Sequence, residues 1–353
     1  MKAFDFFCGA GGLTRGLLDS SIDVIAGFDS DERCRLTYEH NNPGVHFICR
    51  DIAAISLEDL QELANASTFE DTLFAGCAPC QPFSAQRRGW KHSRTGTTLL
   101  GQFGRLVEAA LPSCVLVENV AGIARVPGFS TFRRFLRLLE RKGYRYAWDI
   151  LDAKRYGIPQ TRRRLVLIAH RYADPSLPAP EFGPSLRPFR TVRDAISSYP
   201  GLRAGESHPD IPNHVAACLA PRNLERLRRT PHDGGDRRTW PERLMLECHK
   251  NGREGYTDVY GRMAWDAPAP TLTGRCRSLS NGRYGHPEQD RAISLREAAA
   301  LQTFPDGYVF CGSCTHIAKQ IGNAVPVRLA EELGKHVLLT AAESAIRLRT
   351  PEQ

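Results

Sequence analysis

No stretch of the 353-residue chain approaches the roughly 18 consecutive apolar residues of a membrane span. The N-terminus, MKAFDFFCGAGG, breaks into glycines too early for a secretory signal. Internal repeats and low-complexity segments are missing too, which excludes solenoid and tail-like architectures. The eleven cysteines are irregularly spaced and odd in number, so they read as reduced thiols rather than a disulfide framework. What these absences leave is a soluble, cytoplasmic, globular protein. With 42% apolar residues it can bury a core, and its length allows two or three domains. The formal net charge of +8 favours a polyanionic partner.

The chain opens with three short apolar runs, AFDFFCG (3–9), DVIAGFD (23–29) and VHFICRD (45–51), separated by helical stretches. This β-α-β-α-β order implies a parallel, doubly wound α/β sheet whose ligand lies at the carboxyl ends of the strands. TLFAGC (72–77) and SCVLVENV (113–120) continue the series, and YAWDILD and LVLIAH supply two further strands around an arginine-rich loop. TFRRFLRLLERKGY is helical, with Phe132, Phe135, Leu136 and Leu139 on one face and a basic face opposite. After about residue 172, Pro, Gly, Arg and His crowd the chain, which marks a boundary to a smaller, irregular domain. The basic excess is local there: residues 222–238 hold six arginines against three acids. Helical pattern returns at SLREAAALQTF and from about Val325 to Arg349.

Glycines 9, 11 and 12 follow the first strand directly, where missing side chains let a ligand approach the backbone. A dinucleotide fingerprint would need glycine at 14, which is Thr14, so a pyrophosphate cradle is disfavoured. Asp29 and Asp51 end the second and third strands. Helix capping would explain each alone, but together with the glycines they suit one nucleoside ligand, its ribose and adenine amine held by acids.

GCAPCQPFS (76–84) places Cys77 and Cys80 at C-x-x-C spacing, and CGSC (311–314) repeats it. More than 230 residues separate the pairs, far outside compact zinc spacing. A thioredoxin-type pair opens a helix, whereas Pro82 here keeps the stretch a loop. The remaining reading makes Cys80 a nucleophile, its backbone fixed by Pro79, with Cys77 as packing. Glu118, in ENV (118–120), ends the next strand at the same rim, where a carboxyl can share proton work with a thiol. In QTRRR (160–164), Arg162 and Arg164 alternate onto one side of the chain. A solvated turn would give the same pattern, as would a pair of anion clamps.

In this order, FDFFCGAGG, GCAPCQPFS, ENV, QTRRR, RAISLRE (291–297) and QIGNAVP (320–326) resemble the cytosine carbon-5 DNA methyltransferase family over almost the whole chain. The resemblance implies a Rossmann-like catalytic domain over 1–172 that binds S-adenosylmethionine and releases S-adenosylhomocysteine. It further implies a target-recognition domain over 173–312 and a C-terminal segment, 313–353, that completes the catalytic domain. Phe7, Gly9, Gly11 and Gly12 would line the methionine end of the cofactor, Asp29 its ribose, and Asp51 with Ile52 its adenine, with Pro79 and Asn323 nearby. Cys80, Glu118, Arg162 and Arg164 would surround the cytosine. The chain departs from the family pattern at Asp29 and Ser30, where glutamate and a large residue are common, and at Cys77, where glycine or proline is common.

Covalent addition of the Cys80 thiolate to carbon 6 would make carbon 5 nucleophilic, and the base would have to leave the duplex to be reached. RRGWKHSR (87–94) reads as a basic loop able to close over DNA, and residues 173–290 as the carriers of base readout. Double-stranded DNA is therefore the expected partner, acted on by a monomer without a metal, alongside a possible cognate restriction endonuclease. An RNA cytosine methyltransferase and a non-catalytic DNA-binding relative are the competing readings. The basic recognition segment disfavours the first, and the joint presence of Cys80, Glu118 and Arg164 disfavours the second. With no regulatory extension before residue 1, a compact prokaryotic or viral enzyme is expected.

Overall fold

The computed structural model describes residues 1–79, 95–124, 129–249 and 258–349. Strands and helices alternate as β1 (Lys2–Phe6), α1 (Gly12–Asp19), β2 (Asp23–Asp29), α2 (Arg35–Asn41), β3 (His46–Cys49), α3 (Leu57–Ala64) and β4 (Thr72–Gly76). They continue as α4 (Thr95–Ala110), β5 (Cys114–Val120), α5 (Phe129–Arg141), β6 (Arg145–Asp152) and β7 (Arg163–His170). The seven strands form one sheet in the order β3-β2-β1-β4-β5-β7-β6. The first five are parallel, while β7 runs antiparallel to both β5 and β6.

Strands such as TLFAG, buried at all five positions, read as continuous apolar runs because helices cover both sheet faces. Phe4, Phe6, Phe28, Phe74 and Phe103 fill the centre of the core, with Phe6 stacked on Phe28 at 5.2 Å. Helix α5 buries Phe132, Phe135, Leu136 and Leu139 as its pattern requires. Helix α3 is too short for periodicity to signal it. It starts on a capping box in which Ser56 accepts from Asp59 N while Asp59 accepts from Ser56 N.

The chain divides into two compact units. The first holds residues 1–152, 163–180 and those from Val325 onward. Its last helix, α10 (Val327–Arg349), follows α6 (Val192–Ile196), α7 (Pro221–Arg229), α8 (Leu295–Leu301) and α9 (Cys314–Asn323) of the second unit. Helix α10 packs on α1 so closely that a Cβ on Gly16 would lie 2.4 Å from the Val327 carbonyl. That contact is the physical reason the C-terminus joins the sheet.

The second unit, residues 153–162 and 181–324, has few regular elements. The chain passes into this unit after Pro180 and leaves it after Ala324, so residues 313–324 group with it. There a Cβ on Gly322 would lie 2.1 Å from the Thr273 carbonyl carbon, so α9 is seated directly on that loop. A small apolar core includes Leu227, Trp240, Leu244 and Tyr260. The two ends of RAISLRE meet as a buried pair: Arg291 donates to both Glu297 oxygens at 2.7 and 2.6 Å. Burial works against the Glu297 charge, but Arg291 outweighs it and holds the carboxyl below its usual range. Beside the pair, His286 accepts from Gln289 N at 3.0 Å, and burial pushes its imidazole down to about 4.

A histidine that folds in its neutral form stabilises the fold above its unfolded pKa of about 6.5 and loses that contribution as pH falls toward 4. Thermal melts should therefore show stability falling between pH 7 and 5 by at most about 1.4 kcal/mol per unit, with His286→Asn less sensitive over that window. Equal pH dependence in both proteins would contradict this assignment.

Candidate active site

The sheet order reverses between β1 and β4: the chain moves outward through β2 and β3, then returns to place β4 on the other side of β1. The loops after β1 and β4 therefore part from each other and open a crevice at the carboxyl end of the sheet. The loop after β1 is held open by left-handed backbone at Phe7 (φ 65°), Gly9 (φ 51°) and Gly11 (φ 84°). Its fold is fixed by Cys8 N donating to Phe28 O at 3.0 Å and Gly9 N donating to Asp29 Oδ2 at 2.9 Å. Asp29 Oδ1 accepts from Asp31 N at 2.8 Å, and burial raises the carboxyl above its usual range.

This loop fits an adenosine-bearing cofactor. Among the described residues, a Cβ on Gly9 would meet nothing nearer than Asp29 Oδ2 at 4.0 Å, so none of them fills the space beside it. Backbone amides, Gly9 N on Oδ2 and Asp31 N on Oδ1 among them, orient the Asp29 carboxyl, whose two oxygens have further acceptor capacity for ribose hydroxyls. Gly12 begins α1 and is buried. Asp51 is exposed and caps the short turn Ile52–Ala54, accepting from Ala53 N at 2.9 Å. Ile52 itself is packed in the core, and its carbonyl accepts from Arg105. Asn323 is the exposed last residue of α9, in the second unit.

The loop after β4 begins at Cys77, whose amide donates to Phe6 O at 3.2 Å, and runs through Ala78 to Pro79. Cys80 and the basic stretch 87–94 lie outside the described residues. Burial, reinforced by the charge of Glu118, pushes the Cys77 thiol well above its ordinary value, so it is a poor thiolate. Asn119, which residue pattern alone did not single out, is buried and donates from Nδ2 to Ala78 O at 2.9 Å, tying β5 to the loop two residues before Cys80. The signal available for it was an amide inside an otherwise apolar, buried strand.

Glu118 and Arg164 meet across β5 and β7. The register pairs Val120 with Arg164, which puts Glu118, two residues back, on the same sheet face. Arg164 Nε lies 3.0 Å from Glu118 Oε1, with side-chain exposures of only 13% and 9%. Burial lowers the Arg164 pKa, and the Glu118 carboxylate opposes that shift. The guanidinium approaches Glu118 Oε1 off the line of a hydrogen bond, so this buried oxygen has no hydrogen-bond donor among the described residues. A neutral donor placed there would gain a full bond to a charged acceptor.

Arg162 takes a different place. Fully buried in the second unit, it donates to the carbonyls of Leu272 at 2.9 Å, Gly322 at 3.1 Å and Ala324 at 3.0 Å. The structure thus places Glu118 and Arg164 together and Arg162 on backbone carbonyls.

Behind the glycine loop sits a polar chain that the sequence did not announce. Asp5, wholly buried, accepts from Thr14 Oγ1 at 2.7 Å, and Thr14 is 2.9 Å from the Tyr38 hydroxyl. Thr14 occupies the position where the dinucleotide fingerprint would have glycine. Gly27 is required beside it, since a Cβ there would lie 2.3 Å from the Tyr38 hydroxyl. Burial pushes the Asp5 carboxyl up to about 7, with the Thr14 bonds acting in the other direction. A raised carboxyl makes the folded state take up a proton, so this group weakens the fold as pH rises from about 4 to about 7. Asp5→Asn, which keeps an acceptor for Thr14, should be more stable than the parent at pH 8 by of order 2–4 kcal/mol, and the gain should shrink toward pH 5. Thermal melts at the two pH values check this, and a pH-independent difference would contradict it.

A family model described as C-5 cytosine-specific DNA methylase matches residues 1–338. The chain is 41% identical over 340 residues to Type II methylase M.HgiDII of Herpetosiphon aurantiacus, covering 94% of each chain. It is 32% identical over 339 residues to Type II methyltransferase M1.HphI of Haemophilus parahaemolyticus, covering 95% of this chain and 86% of the relative. The crystal structure of a DNA modification methyltransferase encoded within an Escherichia coli prophage superposes with a TM-score of 0.75 at 23% identity, covering 97% of this chain and 99% of that one. The Rossmann-like methyltransferase fold is shared with it.

Proposed function

Because the chain belongs to the C-5 cytosine-specific DNA methylase family, we propose that it methylates carbon 5 of a cytosine flipped out of a specific duplex DNA sequence, through a covalent adduct with Cys80. The observation that carries this reading is the buried Glu118–Arg164 pair at the sheet rim, next to a loop that Asn119 ties down just before Pro79 and Cys80.

In this reading the Cys80 thiolate adds to carbon 6, forming the S–C6 bond and shifting the ring's electrons toward carbon 5 and nitrogen 3. Glu118 faces the nitrogen 3 edge: one oxygen accepts from the exocyclic amine, and the carboxyl shares a proton with nitrogen 3, which takes that proton as charge builds on the ring. Arg164 polarises the carbonyl oxygen at carbon 2 and, as a nearby cation, favours the thiolate. Arg162 acts as a positioning residue, holding backbone at Leu272, Gly322 and Ala324. Loss of the carbon 5 proton and departure of the Cys80 thiolate restore the aromatic ring.

S-adenosylmethionine supplies the methyl group when bound. Phe7, Gly9, Gly11 and Gly12 would take its methionine end and Asp29 its ribose, with Asp51 and Ile52 at the adenine and Pro79 and Asn323 beside the reacting centre. The basic stretch 87–94 would close over DNA, and residues 173–290 would read base edges. We further propose a monomer in the prokaryotic cytosol, paired with a restriction endonuclease of the same specificity.

Bisulfite sequencing of DNA from cells expressing the parent and Cys80→Ser tests this directly. The parent should leave methylcytosine in one sequence context and Cys80→Ser none, while Arg164→Gln should lower turnover by roughly 10²–10³-fold. Absence of methylcytosine with the parent, or its persistence with Cys80→Ser, would overturn the proposal.

A further inference from the structure

Helix α5 begins nine residues after β5 ends, at the carboxyl rim that carries Glu118, and then runs back along the sheet. It is fixed by its apolar side: Phe135 lies against Phe103 of α4 at 6.0 Å, and Phe132 meets Trp148 of β6 edge-on at 5.2 Å. At about 100° per residue, Arg133, Arg134, Arg137 and Arg141 fall within about 100° of arc, opposite that apolar stripe. All four are exposed.

Among the described residues, nothing neutralises Arg134, Arg137 and Arg141 of this face. The one acid of the helix, Glu140, lies at its edge and accepts from the Tyr146 hydroxyl at 2.6 Å. Glu108 of α4 is paired with Lys142 at 2.9 Å. Among the described residues, none forms an ion pair with Arg134, Arg137 or Arg141. Arg137 and Arg141 are four residues apart, a spacing at which like charges cost an isolated helix a few tenths of a kcal/mol. A polyanion lying along the face would relieve that repulsion. From Arg133 to Arg141 the stripe is about 12 Å long at 1.5 Å per residue. One strand of duplex DNA offers a phosphate about every 3.4 Å along its axis, so the stripe matches three or four of them.

We propose that Arg134, Arg137 and Arg141, together with Arg133, form a backbone-binding track for duplex DNA flanking the target site. The track lies on the catalytic unit, outside the region proposed for base readout, and is indifferent to sequence. It extends the proposed function by adding a contact to the same duplex, beyond the target.

The test compares the parent with Arg134→Gln/Arg137→Gln/Arg141→Gln, whose melting temperature confirms folding. Binding of random-sequence duplexes of 14 and 40 base pairs is measured from 50 to 200 mM salt. The parent should gain affinity with length, and its affinity for the long duplex should fall about 40-fold more steeply across that range than the variant's, as three phosphate contacts predict. The triple lysine variant should keep most of this slope, since a phosphate needs only a positive charge. Equal slopes and an equal length gain in parent and variant would overturn the proposal. So would equal losses on both duplexes and on polyglutamate, which would assign the face to an acidic protein instead. Methylation of the long duplex by the parent, followed in the same preparations, reports on the proposed function independently of the track.

Discussion

Everything at the candidate site depends on β1 and β4 lying side by side while the chain leaves them in opposite directions. Parallel pairing brings Phe6 level with Gly76, so the glycine loop and the cysteine-bearing loop start at the same height. Gly76 adds a packing constraint: a Cβ there would sit 3.1 Å from the Phe103 ring, so the end of β4 is pressed onto α4.

Charge is handled differently on the two sides of that crevice. On the cofactor side the carboxylates Asp5 and Asp29 are desolvated and raised, and hydroxyl or backbone donors rather than cations hold them. A cation there would compete with the positive sulfonium the loop is proposed to receive. On the other side Glu118 is given Arg164 at ion-pair distance, yet the contact is poorly aligned for a hydrogen bond. Breaking such a pair by removing one partner strands a buried charge, commonly at a cost of roughly 3–5 kcal/mol. The imperfect alignment leaves acceptor capacity for a donor such as the amine of the proposed base.

Much of this was legible in the residues. Period and apolar runs placed the strands, because a sheet covered on both faces writes itself as uninterrupted hydrophobic stretches. Glu118 and Arg164 were found as a polar residue ending an apolar strand and an arginine beginning one. Arg162 shows where such reading stops: alternation put it on the same side as Arg164, but burial among the carbonyls of Leu272, Gly322 and Ala324 depends on contacts more than 100 residues away. Asn119 and the Asp5–Thr14–Tyr38 chain were missed for a related reason. Their partners are backbone or distant hydroxyls, which leave no spacing pattern. Helices α3 and α4 were missed because a capping box and a glycine-containing amphipathic stretch are weak signals beside long periodic runs.

The proposed function turns on one bond, from the Cys80 sulfur to cytosine carbon 6. The measurement closest to it is peptide mass mapping of the protein after reaction with target DNA carrying 5-fluorocytosine and with S-adenosylmethionine, since fluorine cannot leave carbon 5 as a proton does. The account predicts a stable DNA adduct on the peptide containing Cys80, lost in Cys80→Ala and retained in Cys77→Ala. An adduct that persists without Cys80, or that maps to Cys77, would contradict it.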